Sequence, residues 1–129
     1  MTALTLPPTG TRKKTPRLIL GLGVSGLAAA VDAHFRTIGW DVGRAASAEE
    51  AAELALRTRA NAVVLTAEPL TESGVLSCAK LKIGRPTTRI ILVGPEDARL
   101  ARFARFAGAA SYLPERTGAP AIVRAVLGH

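Results

Sequence analysis

The chain has 129 residues, 48% of them hydrophobic, so it fits one domain with an ordinary core and has no room for a second. Its one cysteine, Cys78, excludes an internal disulfide framework, and no apolar run approaches the ~20 residues that a membrane span needs. Lysine and arginine outnumber aspartate and glutamate by 17 to 10, and the formal charge of +7 favours acidic partners.

The first 16 residues are rich in threonine and proline and carry the run Arg12-Lys13-Lys14. This composition predicts a flexible basic arm over residues 1–16 rather than a cleaved signal, and we expect a cytoplasmic protein. The arm offers one functional alternative, weak and sequence-independent binding of nucleic acid. Residues 17–129 are then the single folded domain.

From Arg17 onward, short apolar runs alternate with longer helical patterns, which is typical of repeated βαβ units. The predicted strands are Arg17–Gly21, Asp41–Ala45, Ala62–Thr66, Arg89–Val93 and Ala110–Leu113. The predicted helices are Gly26–Ile38, Ala48–Thr58, Gly74–Leu81, Glu96–Ala107 and Pro120–Leu127. Right-handed crossovers then favour an α/β fold, a flavodoxin-like doubly wound, five-stranded parallel sheet of order 2-1-3-4-5 with helices on both faces.

Local signals mark the helix ends. Ser25 and Ser47 are predicted N-caps, with Glu50 completing a capping box, and Gly39 ends the first helix. In the fourth helix, a three- and four-residue spacing predicts that Leu100, Phe103 and Ala107 form the buried stripe.

Several segments of this sequence resemble response-regulator receiver domains. They are Gly39–Val42, Ala45–Ala51, Asn61–Thr66 with Gly74 eight residues later, and Gly108–Leu113. The similarity extends over nearly all of residues 17–127 and implies the flavodoxin-like fold of CheY-like receiver domains.

The resemblance also implies where a phosphorylation site would lie. In that family, acidic residues after strand one hold Mg²⁺, an aspartate after strand three takes the phosphoryl group, and a hydroxyl residue and a lysine follow strands four and five. The matching residues here are Leu22 and Gly23, Thr66, Gly94, and Glu115. Because aspartyl phosphorylation needs a carboxylate nucleophile and a metal, we expect a degenerate pseudo-receiver that is not an enzyme and uses no cofactor.

A glycine-rich turn after the first strand gives the competing interpretation. Gly21, Gly23 and Gly26 spell G-x-G-x-x-G between a predicted strand and helix, and Ser25 could add a donor to a pyrophosphate. The acidic residue expected at the end of strand two is missing, because that region reads Ala45-Ala46-Ser47. A nucleotide or dinucleotide module is therefore the alternative to glycines that form a tight turn.

No catalytic or metal site can be assembled from the remaining residues. His34 and His129 have no ligand-spaced partner, and Cys78 is predicted to be a small buried side chain. Receivers commonly engage partners through the fourth helix, fifth strand and fifth helix. The corresponding candidates here are Arg99, Arg102, Arg105, Tyr112, Arg116 and Arg124. The leading hypothesis is a phosphorylation-independent signalling or scaffold module that binds an acidic protein through this surface, with homodimerisation through the same surface as a further option.

Overall fold

The structure is a computed structural model, and it describes residues 15–22, 25–67 and 73–128. The strands are β1 (Arg17–Gly21), β2 (Asp41–Arg44), β3 (Ala62–Thr66), β4 (Arg89–Gly94) and β5 (Ser111–Pro114). The helices are α1 (Gly26–Thr37), α2 (Ala48–Thr58), α3 (Ser73–Gly84), α4 (Ala98–Phe106) and α5 (Gly118–Leu127), with a 3₁₀ turn at Glu115–Thr117. The predicted basic arm lies outside the described residues apart from Thr15 and Pro16.

The five strands form one parallel sheet in the order β2-β1-β3-β4-β5, which confirms the predicted topology. The central strand β3 pairs in register with both neighbours, Val63 opposite Ile19 of β1 and opposite Ile90 of β4. All three side chains are fully buried. Strands that are apolar along their whole length are stable here because helices cover both faces of the sheet.

The helices divide into two layers. Buried side chains of α2, α3 and α4 pack on one face of the sheet, and those of α1 and α5 pack on the other. We call the first layer the α2–α3–α4 face. None of the helices in the described ranges is long and apolar enough to cross a membrane.

The predicted helix ends are confirmed at the first two helices. The Ser25 hydroxyl accepts a hydrogen bond from the Ala28 amide, and the Ser47 hydroxyl accepts one from the Glu50 amide, both at 3.1 Å. The Glu50 carboxylate accepts in return from the Ala46 amide at 2.7 Å, one residue before the position that an ideal capping box uses. These contacts fix the entry of α1 and α2 from the carboxyl edge of the sheet.

A half-buried carboxylate joins α1 to the edge strand β2. Asp32 of α1 accepts hydrogen bonds from Arg44 of β2, at 2.9 Å, and from Arg36 one turn later. Burial by itself would raise the pKa of Asp32, but the hydrogen bonds from Arg44 and Arg36 outweigh it and hold that pKa below its ordinary value. The carboxylate thus clamps a strand that has a sheet neighbour on one side only.

The prediction for the buried side of α4 is wrong at Phe103. This side chain is 52% exposed, and the fully buried residue is Ala104, with Leu100 and Ala107 half-buried beside it. Asp97, rather than a helical residue, is the N-cap, since its carboxylate accepts from the Arg99 and Leu100 amides. The buried stripe therefore consists of Leu100, Ala104 and Ala107, and Phe103, which lies about 100° round the helix from Ala104, faces solvent.

Candidate functional site

A cavity of about 350 Å³ opens at the carboxyl edge of the sheet, where parallel α/β folds place their ligands. Its lining residues are Leu22, Ser25, Leu27, Thr66, Val93 and Glu115. The structure thus brings together the predicted residues that follow strands one, three and five, and it adds Leu27 and Val93. Gly23, predicted as part of this pocket, lies outside the described residues.

The walls of this pocket are chiefly apolar. Leu22 and Leu27 belong to the apolar cluster shared by α1 and α5, and Val93 is 2% exposed. Among the lining residues that the structure describes, Glu115 is the only carboxylate, and the Ser25 hydroxyl already caps α1. Mg²⁺ in proteins is bound through oxygen ligands with strict octahedral geometry, so this donor set does not fit the ion that the receiver resemblance implies.

Beside the pocket, Tyr112 lies over Gly94. The Tyr112 hydroxyl donates a 2.6 Å hydrogen bond to the carbonyl oxygen of Pro95. A Cβ placed on Gly94 would come within 2.7 Å of that hydroxyl and 2.9 Å of the Ala67 carbonyl oxygen. Residue 94 is therefore a glycine because the phenol occupies the space where a side chain would project.

Two further glycines have steric explanations. A Cβ on Gly21 would lie 2.6 Å from the Ala51 Cβ of α2, and a Cβ on Gly74 would overlap the Thr66 carbonyl oxygen. Gly26, in contrast, has nothing within 4 Å of its Cβ position. Gly21 is thus explained by the close packing of β1 against α2, and ligand binding at the glycine turn stays a prediction.

A second candidate site is the exposed side of α4. Arg99, Arg102 and Arg105 all face solvent, and Phe106 is 94% exposed. A shallow, open stretch of this surface is formed by Arg102, Arg105, Phe103 and Phe106. Sequence reasoning found the arginines but missed the phenylalanines, although Phe106 follows Arg102 by four residues, the spacing that puts two side chains on one helix face.

The other predicted contact residues are less available. Tyr112 is half-buried with its hydroxyl bonded to Pro95, and Arg116 forms a bidentate ion pair with Glu96 at 2.9 Å. Arg124 is exposed but belongs to α5, on the opposite layer of helices. The structure therefore gathers the three α4 arginines into one surface and separates Arg124 from it.

Outside these two sites, neither Cys78 nor His34 is arranged for catalysis or metal binding. Cys78 is fully buried, and burial raises its pKa to about 11, so the thiol stays protonated. In the described ranges, no group of three histidine, cysteine, aspartate or glutamate side chains could hold a metal ion. The imidazole of His34 is exposed on α1.

Comparison with solved structures places the fold. An orphan response regulator of H. pylori superposes with a TM-score of 0.76 at 14% identity, over 88% of this chain and 94% of its own length. A CheY-like response regulator receiver domain protein of Methanospirillum hungatei JF-1 gives 0.76 at 17% identity, over 89% and 93%. A response regulator of Burkholderia pseudomallei gives 0.74 at 21% identity over 88% of this chain, which spans 66% of that protein.

No protein-family model matches the sequence, and a search of curated proteins gives no match. At identities between 14% and 21%, the likeness rests on the arrangement of the backbone. The strand order, the two layers of helices and the cavity at the carboxyl edge agree with that likeness. The chain therefore has the CheY-like receiver fold of response regulators.

Proposed function

We propose that this protein is a non-catalytic signalling or scaffold module that works without phosphorylation and binds an acidic protein surface through α4. The observation that carries the proposal is the exposed side of α4, where three arginines surround two solvent-facing phenylalanines. Exposed aromatic side chains rimmed by arginine are the composition of binding hot spots. No acidic residue lies within Ala98–Phe106 to offset this positive charge.

The pocket supports the absence of phosphoryl chemistry. The structure of the Burkholderia pseudomallei protein contains a phosphorylated aspartic acid and a calcium ion. In this chain Thr66 ends β3, and Leu22 and Leu27 line the space beside it. A phosphoryl group there would meet apolar walls and the like charge of Glu115, both of which disfavour an anion in a shielded cleft.

The Tyr112 contact supports a single, fixed conformation beside that pocket. With its hydroxyl bonded to Pro95 and its ring packed with the buried cluster of the α2–α3–α4 face, the tyrosine fills the space above Gly94. A hydroxyl-bearing residue at position 94 would have no room. We infer that the loop before α4 holds its binding conformation without a covalent signal.

Phosphorylation independence is tested by restoring the acceptor. Thr66→Asp, incubated with Mg²⁺ and a small phosphodonor such as acetyl phosphate, is expected to gain no stable acyl phosphate, measured by intact-protein mass spectrometry. One added carboxylate does not rebuild a metal site in a pocket whose walls are chiefly apolar, with Leu22, Leu27 and Val93 among them. Detection of a stable aspartyl phosphate on residue 66 would contradict the proposal.

The recognition surface is tested by partner capture from native lysate. A variant with Arg99, Arg102 and Arg105 changed to glutamate is expected to lose the acidic partner that the wild type retains, because rim charges set encounter rate and partner choice. Arg124→Glu reverses a single arginine on the opposite layer and is the matched control for the single variant Arg102→Glu, which is expected to weaken capture in the same direction as the triple variant. Equal capture by all four proteins would remove α4 as the binding surface.

A further inference from the structure

The exposed apolar side chains of this protein are concentrated on one side of the sheet. In the described part of the chain, five of the six large apolar residues that face solvent belong to α2, α3 or α4. These five are Leu56, Leu76, Ile83, Phe103 and Phe106, and the sixth, Ile38, follows α1. An exposed apolar concentration of this kind marks a binding surface.

The charges on the same face are divided between its two outer helices. The exposed side of α2 carries Glu49, Glu50 and Glu53, followed by Arg57 at its last turn. The charged residues on the exposed side of α4 are all arginines. The middle helix, α3, presents Leu76, 60% exposed, and Ile83, 83% exposed, with the long side chain of Lys80 between them. Because Arg57 and Arg59 follow the glutamates of α2, and Lys80 lies on α3, the face is acidic over the first two turns of α2, chiefly apolar along α3 and basic along α4.

We propose that the α2–α3–α4 face binds a second copy of this chain, with α2 of each protomer packed against α4 of its partner. The two copies are related by a two-fold axis that runs parallel to α3 and lies midway between the facing surfaces. Rotation about this axis places α2 of one copy opposite α4 of the other. Each acidic α2 then meets a basic α4, and the exposed side chains of α3 meet their own counterparts at the centre. The centre of the interface is then formed by Leu76 and Ile83 with the aliphatic stems of the two Lys80 side chains, whose ammonium groups extend toward the charged rim.

The register of the helices supports this pairing. Rotation about an axis parallel to the helices leaves their direction unchanged, so residues at similar distances from the helix starts come opposite each other. Leu56 and Phe106 are each the ninth residue of their helix. Glu53 is the sixth residue of α2, and Arg102 is the fifth of α4. Apolar residues therefore meet apolar ones, and carboxylates meet guanidinium groups.

Other occupants of this face fit less well. An anionic lipid surface or a nucleic acid would be attracted to α4 but repelled by the glutamates of α2. An unrelated acidic partner would use α4 and leave Leu76 and Ile83 exposed to water. A second copy accounts for all three helices at once, because it supplies the opposite charge at each margin.

This inference rests on the proposed role of α4 as a recognition surface, and it is tested with the full chain by sedimentation equilibrium over a concentration series. The wild type is expected to move from one toward twice the chain mass. Ile83→Asp is expected to abolish the shift, because it buries a charge at the centre of the interface. Arg124→Glu, on the opposite layer, is the control and leaves the wild-type behaviour unchanged.

Charge reversal tests the pairing itself. Glu53→Arg and Arg102→Glu are each expected to raise the dimer dissociation constant about tenfold or more, because each change places like charges together twice in the symmetric dimer. An equimolar mixture of these two variants restores dimer formation, since the reversed α2 of one then meets the reversed α4 of the other. Circular dichroism of each variant verifies that the fold is intact.

The outcomes separate this inference from the proposed function. A single-chain mass at every concentration overturns it, and so does a dimer that is sensitive to Arg102→Glu but not to Glu53→Arg. Capture of an acidic partner that depends on Arg102 alone would leave the proposed function standing after either result. Dimerisation that depends on both residues, with capture indifferent to α4, would instead support the inference and reject the acidic external partner.

Discussion

Substitution of Gly94 by alanine should be costly, because the added methyl group has no room. Its Cβ would come within 2.7 Å of the Tyr112 hydroxyl and 2.9 Å of the Ala67 carbonyl oxygen. We expect the ring to move and to lose its 2.6 Å hydrogen bond to Pro95, at about 1 kcal/mol. Crowding against the backbone adds about 1–3 kcal/mol. The free energy of unfolding should therefore fall by about 2–4 kcal/mol, a Tm decrease on the order of 10 °C.

Two spectroscopic probes read this change separately. Trp40 is the only tryptophan and packs edge-on against the buried Phe35, with the two ring centroids 4.9 Å apart. Its fluorescence therefore reports global unfolding by denaturant. Tyr112 is the only tyrosine, and burial, with the nearby charges of Asp97 and Glu115, raises the pKa of its phenol. Displacement of the ring into solvent should bring that pKa down toward the ordinary value, as measured by ultraviolet absorbance titration.

A double-mutant cycle isolates the contact between residues 94 and 112. Tyr112→Phe removes the hydroxyl that the new methyl group would meet, so Gly94→Ala should cost less in that background than in the wild type. The remaining cost comes from the Ala67 carbonyl oxygen. Gly94→Ala with wild-type stability and an unchanged phenol pKa would refute the claim that Tyr112 requires a glycine beneath it.

Three further expectations concern the frame of the site. Gly74→Ala should lower the free energy of unfolding by about 3 kcal/mol, because its Cβ would overlap the Thr66 carbonyl oxygen. The matched control is Gly26→Ala, which has open space around its Cβ and should be neutral or slightly stabilising. Denaturant unfolding measures both. Asp32→Asn should lower the free energy of unfolding by about 1–2 kcal/mol at neutral pH. The folded state lowers the pKa of Asp32, so the stabilisation is fully present above the pKa of the unfolded chain and is lost as the pH falls through the folded-state value. The free energies of unfolding of wild type and Asp32→Asn should therefore become equal in acid. A difference that stays constant with pH would contradict this. Finally, the Cys78 thiol, with a pKa of about 11, should resist alkylation in the native state and react only when denaturant is added, and rapid labelling of the folded protein would show that it is accessible.

The order of the elements could be read from the chain because each signal is local. The local signals include apolar runs such as Ala62–Thr66, helix caps such as Ser47 and short connections. Together with the requirement for right-handed crossovers, they restrict the topology to one parallel sheet. Because the strands are parallel, the carboxyl ends of β1, β3, β4 and β5 lie at one edge. The resemblance to receiver domains then singled out Leu22, Thr66 and Glu115 at that edge, and all three line the cavity there.

The sequence did not determine which residues of α4 are buried, because that depends on how the helix packs against the sheet. Periodicity indicates that α4 has a buried stripe, but it does not distinguish Phe103 from the adjacent Ala104. Tertiary packing selects Ala104, which is fully buried, and the two phenylalanines are left in solvent. Only the tertiary structure shows that the acidic α2, the apolar α3 and the basic α4 share one face, because the sheet brings together helices that are far apart in the chain. Charge complementarity across a surface depends on positions in space, which the sequence by itself does not give.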